Sequence, residues 1–149
     1  MRHADLKGYS FSRDDVDARS LANQYAQMLG HIFTHEMKPM EVEILVAEVD
    51  FEGENLRNQM FHILYDGTVK DESSFAVLGG ESEAIHERFQ ALFKTNMPLK
   101  RALNLSIDAL TAGERDIEPD DLEVAELSIE NGRRAFRRIP ASEIQELIN

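Results

Sequence analysis

At 149 residues and 17.0 kDa, with 42% apolar content, the chain is sized for one domain with a core of its own. Sixteen Lys and Arg stand against 28 Asp and Glu, and the net charge of −12 argues against nucleic acid and anionic membrane surfaces as partners. The absence of cysteine removes disulfides, thiol catalysis and sulfur-ligated metals, and no stretch approaches a transmembrane span or a signal core, so a cytoplasmic setting is expected.

The charge is uneven. Residues 1–132 carry 12 basic and 26 acidic groups, whereas residues 133–149 carry four arginines and two glutamates. The C-terminal segment is therefore a basic patch on an acidic body.

The first clear element is a helix from Asp15 to Glu36. Leu21, Tyr25, Met28, Leu29, Ile32 and Phe33 recur at helical spacing and form one stripe. Asp14 or Asp15 is the expected N-cap, and Pro39 lies just past the end. Residues 1–7 suit another helix but have no start signal before them.

Three strands follow. Glu41 to Val49 alternates and then runs apolar, Met60 to Tyr65 is the second, and Asp66-Gly67 marks a tight turn that needs positive φ. Ser74 to Leu78 is the expected third strand, stopped by Gly79-Gly80. Consecutive strands without intervening helices predict an antiparallel sheet.

Two helices come next. Ile85, Phe89, Leu92 and Phe93 stripe the first, with Ser82 as its cap. Pro98 opens the second at its first helical position, Leu99, Ala102, Leu103, Ile107 and Leu110 stripe it, and Gly113 ends it. Glu114 to Asp121 reads as an acidic loop. Leu122 to Ile129 and Arg133 to Ile139 then pair around an Asn131-Gly132 turn, and Ser142 caps a last helix carrying Ile144, Leu147 and Ile148. Helices are grouped rather than alternating with strands, so the class is α+β.

Chemical signals are sparse. His31 and His35 share a helix face as zinc ligands do, but Thr34 stands where a metalloprotease glutamate would be, so a surface role is the better reading and no metal is expected. Gly79-Gly80 lacks a full phosphate-binding fingerprint, and Glu81 and Glu83 would repel an anion there. No Ser or Thr lies in a nucleophile motif, and no cofactor fingerprint is present. The run Arg133 to Arg138 is the most unusual composition. As a strand it puts Arg134, Phe136 and Arg138 on one face and Arg133, Ala135 and Arg137 on the other. Its guanidiniums serve either as a solvated edge or as partners for acidic groups on the same chain or a neighbouring copy.

The blocks Lys7-Gly8-Tyr9-Ser10-Phe11, Asp15-Val16 and Arg19-Ser20-Leu21-Ala22-Asn23-Gln24-Tyr25-Ala26-Gln27 resemble the α-type subunit of the bacterial proteasome core. Ile32-Phe33-Thr34, Lys38-Pro39, Glu41-Val42-Glu43, Val46-Ala47-Glu48-Val49, Tyr65-Asp66-Gly67 and Gly79-Gly80 continue the resemblance. Leu122-Glu123-Val124-Ala125 and Arg133-Arg134-Ala135-Phe136-Arg137-Arg138-Ile139 close it. Any one block is weak; in this order, across nearly the whole chain, they are specific.

The resemblance implies a four-layer αββα sandwich of the N-terminal nucleophile hydrolase type, with antiparallel sheets, of which residues 1–149 form a single partial domain. Met1 aligns within the family's first long helix, so the first strands, the gating tail and the docking pocket for the regulatory ATPase ring are expected upstream. An incomplete sheet implies exposed edges and apolar surface, and hence poor solubility or a partly molten state for the isolated chain. Catalysis in this family belongs to the threonine of the β subunits, so no catalytic residue is expected here. The implied role is a non-catalytic subunit of the outer seven-membered ring that gates substrate entry. Its implied partners are other α subunits, the β subunits and the ATPase ring. Tyr9, Phe11, Arg13, Arg134 and Arg137 are the candidate subunit contacts. Two other readings stand beside it: a free-standing N-terminal nucleophile hydrolase whose nucleophile lies upstream, and an acidic interaction module.

Overall fold

A computed structural model of the chain describes residues 17–38, 40–52, 54–114 and 116–148. The elements run α1 (Ala18–His35), β1 (Ile44–Glu52), β2 (Asn55–Ile63), β3 (Val69–Glu72), α2 (Ser82–Leu92), α3 (Leu99–Thr111), β4 (Val124–Leu127), β5 (Phe136–Ile139) and α4 (Ala141–Ile148). This is the α+β order expected from the sequence, with two antiparallel sheets. The chain divides into two compact units, one ending at Phe75 and the other beginning at Ala76.

In the first unit, Asp17 caps α1 by accepting from the Ser20 N–H at 2.7 Å, in place of the expected Asp14 or Asp15. The carboxylate of Glu48 on β1 accepts from the Ala18 N–H at 2.8 Å, which puts a negative charge at the positive end of the helix. Sheet and helix start are thereby tied together.

The face α1 turns to the sheet is built from small residues as much as large ones. Ala18, Ala22 and Leu29 are buried with Val46, Phe61 and Ile63, and Leu21, Tyr25 and Ala26 flank them. Met28 and Phe33, expected in the stripe, are 47% and 44% exposed. The stripe is rotated toward the alanines because backbone from the β2–β3 turn lies on the helix. A Cβ on Gly67 would come within 2.6 Å of the Ala26 carbonyl oxygen and 2.9 Å of Gly30 Cα, and Gly67 holds φ +90°. Only glycine meets both demands.

β1 and β2 pair over their full lengths, from Ile44 opposite Ile63 to Glu52 opposite Asn55. Val46, Phe61 and Ile63 face the helix. On the other face Leu45, Phe51 and Leu56 are 44%, 52% and 53% exposed.

The expected third strand, Ser74 to Leu78, is not a strand; β3 is Val69–Glu72. The chain reverses at once after β2. Leu64 N–H donates to the Thr68 carbonyl, Gly67 N–H donates to the Leu64 carbonyl, and Asp66 Oδ1 accepts from the Thr68 N–H. Ile63 then lies opposite Val69. The charged run Lys70-Asp71-Glu72 hides this strand from a hydrophobicity reading, as charged edge strands do.

In the second unit, Glu81 stands at the cap position of α2 without a side-chain hydrogen bond, and Ser82 is the first helical residue rather than the cap. Pro98 is likewise the cap of α3, with ψ 152°, and not its first turn. Arg88 Nε donates to the Ala109 carbonyl at 2.8 Å and ties α2 to α3. Ala112 ends α3 in the left-handed region with φ 53°, and Gly113 follows with φ 83°.

The core of this unit is Leu103 and Ile107 of α3 against Ile139 of β5 and Ile144 of α4, with Leu122, Val124 and Leu147 packed around them. The two strands are shorter than expected and their connection is longer. Ser128 N–H donates to the Ala135 carbonyl, a 3₁₀ turn occupies Ile129–Asn131, and Gly132 takes φ 78°. Asn131 Nδ2 also donates to the Ala135 carbonyl, at 3.0 Å, and Ser128 Oγ accepts from the Glu130 N–H. Polar side chains thus take up backbone groups that a two-residue turn would have left to the ladder. Ser142, the expected cap of the last helix, is its second residue, after Pro140 at the corner.

Candidate functional site

Among the described residues, the β4–β5 hairpin and the helix after it gather a cluster of charged side chains joined by ion pairs. Glu126 lies opposite Arg137 in the ladder, and Ala125 lies opposite Arg138. Antiparallel register places partners on the same face. Arg137 therefore turns toward α4 with Glu126, whereas Phe136 and Arg138 turn the other way. Its Nε and Nη2 donate to Glu126 Oε2 at 3.2 and 3.0 Å, and its Nη1 donates to Glu143 Oε2 of α4 at 2.8 Å. The hydrogen bond to Glu143 first, and that to Glu126 second, hold this guanidinium still further above its ordinary range.

On the opposite face Phe136 is 59% exposed, and with Arg138, Ala125, Val124 and Glu123 it lines a shallow open depression. Arg138 Nη2 lies 3.4 Å from Glu123 Oε1, with both side chains well exposed. The expected alternation holds for Phe136, Arg137 and Arg138. Arg133 and Arg134 precede the strand and are exposed in the connection, so Arg134 does not share a strand face with Phe136. Arg134 has no ion-pair partner among the described residues. Tyr9, Phe11 and Arg13 lie outside the described residues.

Both acidic partners of Arg137 escaped sequence reasoning. Glu126 is 11 residues upstream and Glu143 is six downstream. The only available signal was register: a glutamate on each flank of an arginine strand.

The histidine pair is exposed on the last turns of α1, with ring centroids 4.2 Å apart. His35 Nδ1 is 2.7 Å from Thr34 Oγ1 and 3.1 Å from the His31 carbonyl oxygen, so local backbone and hydroxyl groups occupy it. Among the described residues no group of three His, Asp or Glu side chains converges as metal ligands would. A different histidine was missed. His62, between Phe61 and Ile63, is buried and meets two carboxylates, Glu43 on Nε2 at 2.5 Å and Glu72 near Nδ1 at 3.9 Å.

No helix among the described residues is long and apolar enough to cross a membrane. Residues 2–127 match the family model described as proteasome subunit. The chain is 55% identical over 148 residues to a protein named proteasome subunit alpha from Acidimicrobium ferrooxidans, an alignment covering 99% of this chain and 63% of the relative. It is 44% identical over 153 residues to the proteasome subunit alpha of Mycolicibacterium vanbaalenii, covering 99% of this chain and 60% of that one. For the proteasome subunit alpha of Rhodococcus opacus the identity is 43% over 152 residues, with 98% and 59% covered. The chain thus spans about three fifths of the length of these curated relatives.

Proposed function

The chain belongs to the proteasome subunit family, and from that premise we propose that it serves as a non-catalytic α-type subunit of the proteasome core, in the outer ring that gates substrate entry. The observation that carries this reading is the alignment with proteins named proteasome subunit alpha across 98–99% of the chain. The single family match across residues 2–127, running through both compact units, supports reading residues 1–149 as part of one domain. Its partners on this reading are other α subunits, β subunits and a regulatory ATPase ring, in the cytoplasm.

A closed ring requires two different complementary patches on each subunit. The acidic body and the exposed arginines of the β4–β5 hairpin supply opposite charges for such a contact. Arg134, exposed and unpaired among the described residues, is the contact we favour there, together with Tyr9, Phe11 and Arg13 near the start of the chain. Arg137 enters this proposal indirectly: bound to Glu126 and Glu143, it stiffens the hairpin that presents Arg134.

Co-expression with the matching β-type subunit, followed by size-exclusion chromatography, tests the assignment. Co-elution in a high-mass complex is expected, with Arg134→Glu shifting material toward smaller species. Failure of the protein to associate with the β subunit would refute it.

A further inference from the structure

We propose that His62, Glu43 and Glu72 form a proton-dependent clasp fastening β3, and the segment before β1, to the central strand of the three-stranded sheet. The inference concerns this sheet alone and does not rest on the ring assignment. His62 is 6% exposed and stands in register between Leu45 of β1 and Lys70 of β3. Its Nε2 is 2.5 Å from Glu43 Oε2, and its Nδ1 is 3.9 Å from Glu72 Oε1.

Ionised carboxylates only accept hydrogen bonds, and a neutral imidazole has a single N–H. A neutral ring therefore serves one glutamate and presents a lone pair to the other. An imidazolium donates from both nitrogens and attracts both carboxylates. The proton count on one ring decides whether β3 is held by its ladder alone or by its ladder and an ion pair.

The charged groups facing the ring are Glu43 from the segment ahead of β1 and Glu72 and Lys70 from β3. Lys70 is exposed. The β1 position opposite His62 is the apolar Leu45, and on β2 the adjacent Phe61 and Ile63 are buried with α1 on the other face. The Glu43 and Glu72 side chains are 35% and 29% exposed, so solvent weakens the pairs without abolishing them. β3 is a four-residue edge strand, the element of this sheet most sensitive to one added contact.

Two measurements on the whole chain test the clasp: nitrogen NMR of the His62 ring, and amide hydrogen exchange corrected for intrinsic base catalysis. Nitrogen NMR across the pH range in which the chain stays folded reads how many of the ring nitrogens carry a proton. With one ring proton instead of two, Val69 to Glu72 should show roughly fivefold less protection. In Glu72→Gln the ring remains bound to Glu43, and the pH dependence of β3 protection should vanish. In His62→Gln, β3 should exchange at every pH as the unaltered chain does when its ring carries a single proton. A ring that keeps one protonation state throughout, an unchanged pH dependence in Glu72→Gln, or protection in His62→Gln equal to that of the doubly protonated ring would each overturn the proposal.

Discussion

Arg137 on β5 and Glu143 on α4 meet at 2.8 Å across the corner that Pro140 makes between strand and helix. With Glu126 on the second side, the guanidinium joins both strands of the hairpin to the helix. Glu143→Gln removes one charge and keeps the shape. The expected result is a melting midpoint lower by about one to three degrees, with the difference shrinking in high salt because screened pairs contribute less. Thermal melts of the two proteins at low and high ionic strength check this.

Gly67→Ala should be the more damaging of two alanine substitutions at left-handed glycines. At Gly67 the new Cβ meets backbone at 2.6 and 2.9 Å, whereas at Gly79, φ +116°, it meets nothing within 4 Å. Backbone strain alone is expected to cost ~1 kcal/mol at Gly79, and strain plus the collision ~3 kcal/mol at Gly67. Urea unfolding of both variants measures the difference.

Ile144 is 1% exposed and Phe136 is 59% exposed, although they flank the same corner. Ile144→Ala opens a cavity among Leu103, Ile107 and Ile139 and should destabilise by ~2–4 kcal/mol. Phe136→Ala should change stability by less than about 0.5 kcal/mol. Chemical denaturation followed by circular dichroism separates them.

Asp66 accepts from the Thr68 backbone N–H, and this bond, ahead of the Thr68 side chain, holds its carboxyl below the ordinary value of 3.8. A carboxyl depressed on folding stabilises the fold fully above its unfolded value and loses that contribution as pH falls through the folded one. The turn should therefore weaken only below about pH 4. Asp66→Asn should flatten that part of the acid limb and leave the pH dependence near neutrality unchanged. Acid unfolding curves of the two proteins give the comparison.

The order of elements was legible because helices and central strands announce themselves through apolar spacing, as Leu29 and Val46 do. Boundaries were legible only where local chemistry decides them. Gly113 after α3 is such a case. β3 was not readable, because an edge strand made of Lys70, Asp71 and Glu72 is held by its ladder and turn rather than by a buried face. The rotation of the α1 stripe toward Ala22 and Ala26 was equally hidden, since it depends on the Gly67 backbone, distant in sequence. At the candidate site, the arginine run was conspicuous but its partners were not. Whether Arg137 faces Glu126 or solvent is a question of cross-strand register, and the true connection over residues 128–135 differs from the two-residue turn suggested by Asn131-Gly132.

The two hydrogen bonds at the start of α1 differ in when they can form. Asp17 reaches Ser20 within one turn, whereas Glu48 reaches Ala18 from 30 residues away. The local bond is available to a nascent helix, but the distant one waits until β1 has docked and closed the intervening loop. Removing the Glu48 carboxylate should therefore leave the refolding rate nearly unchanged and accelerate unfolding, making that single contact a determinant of how long the native state survives.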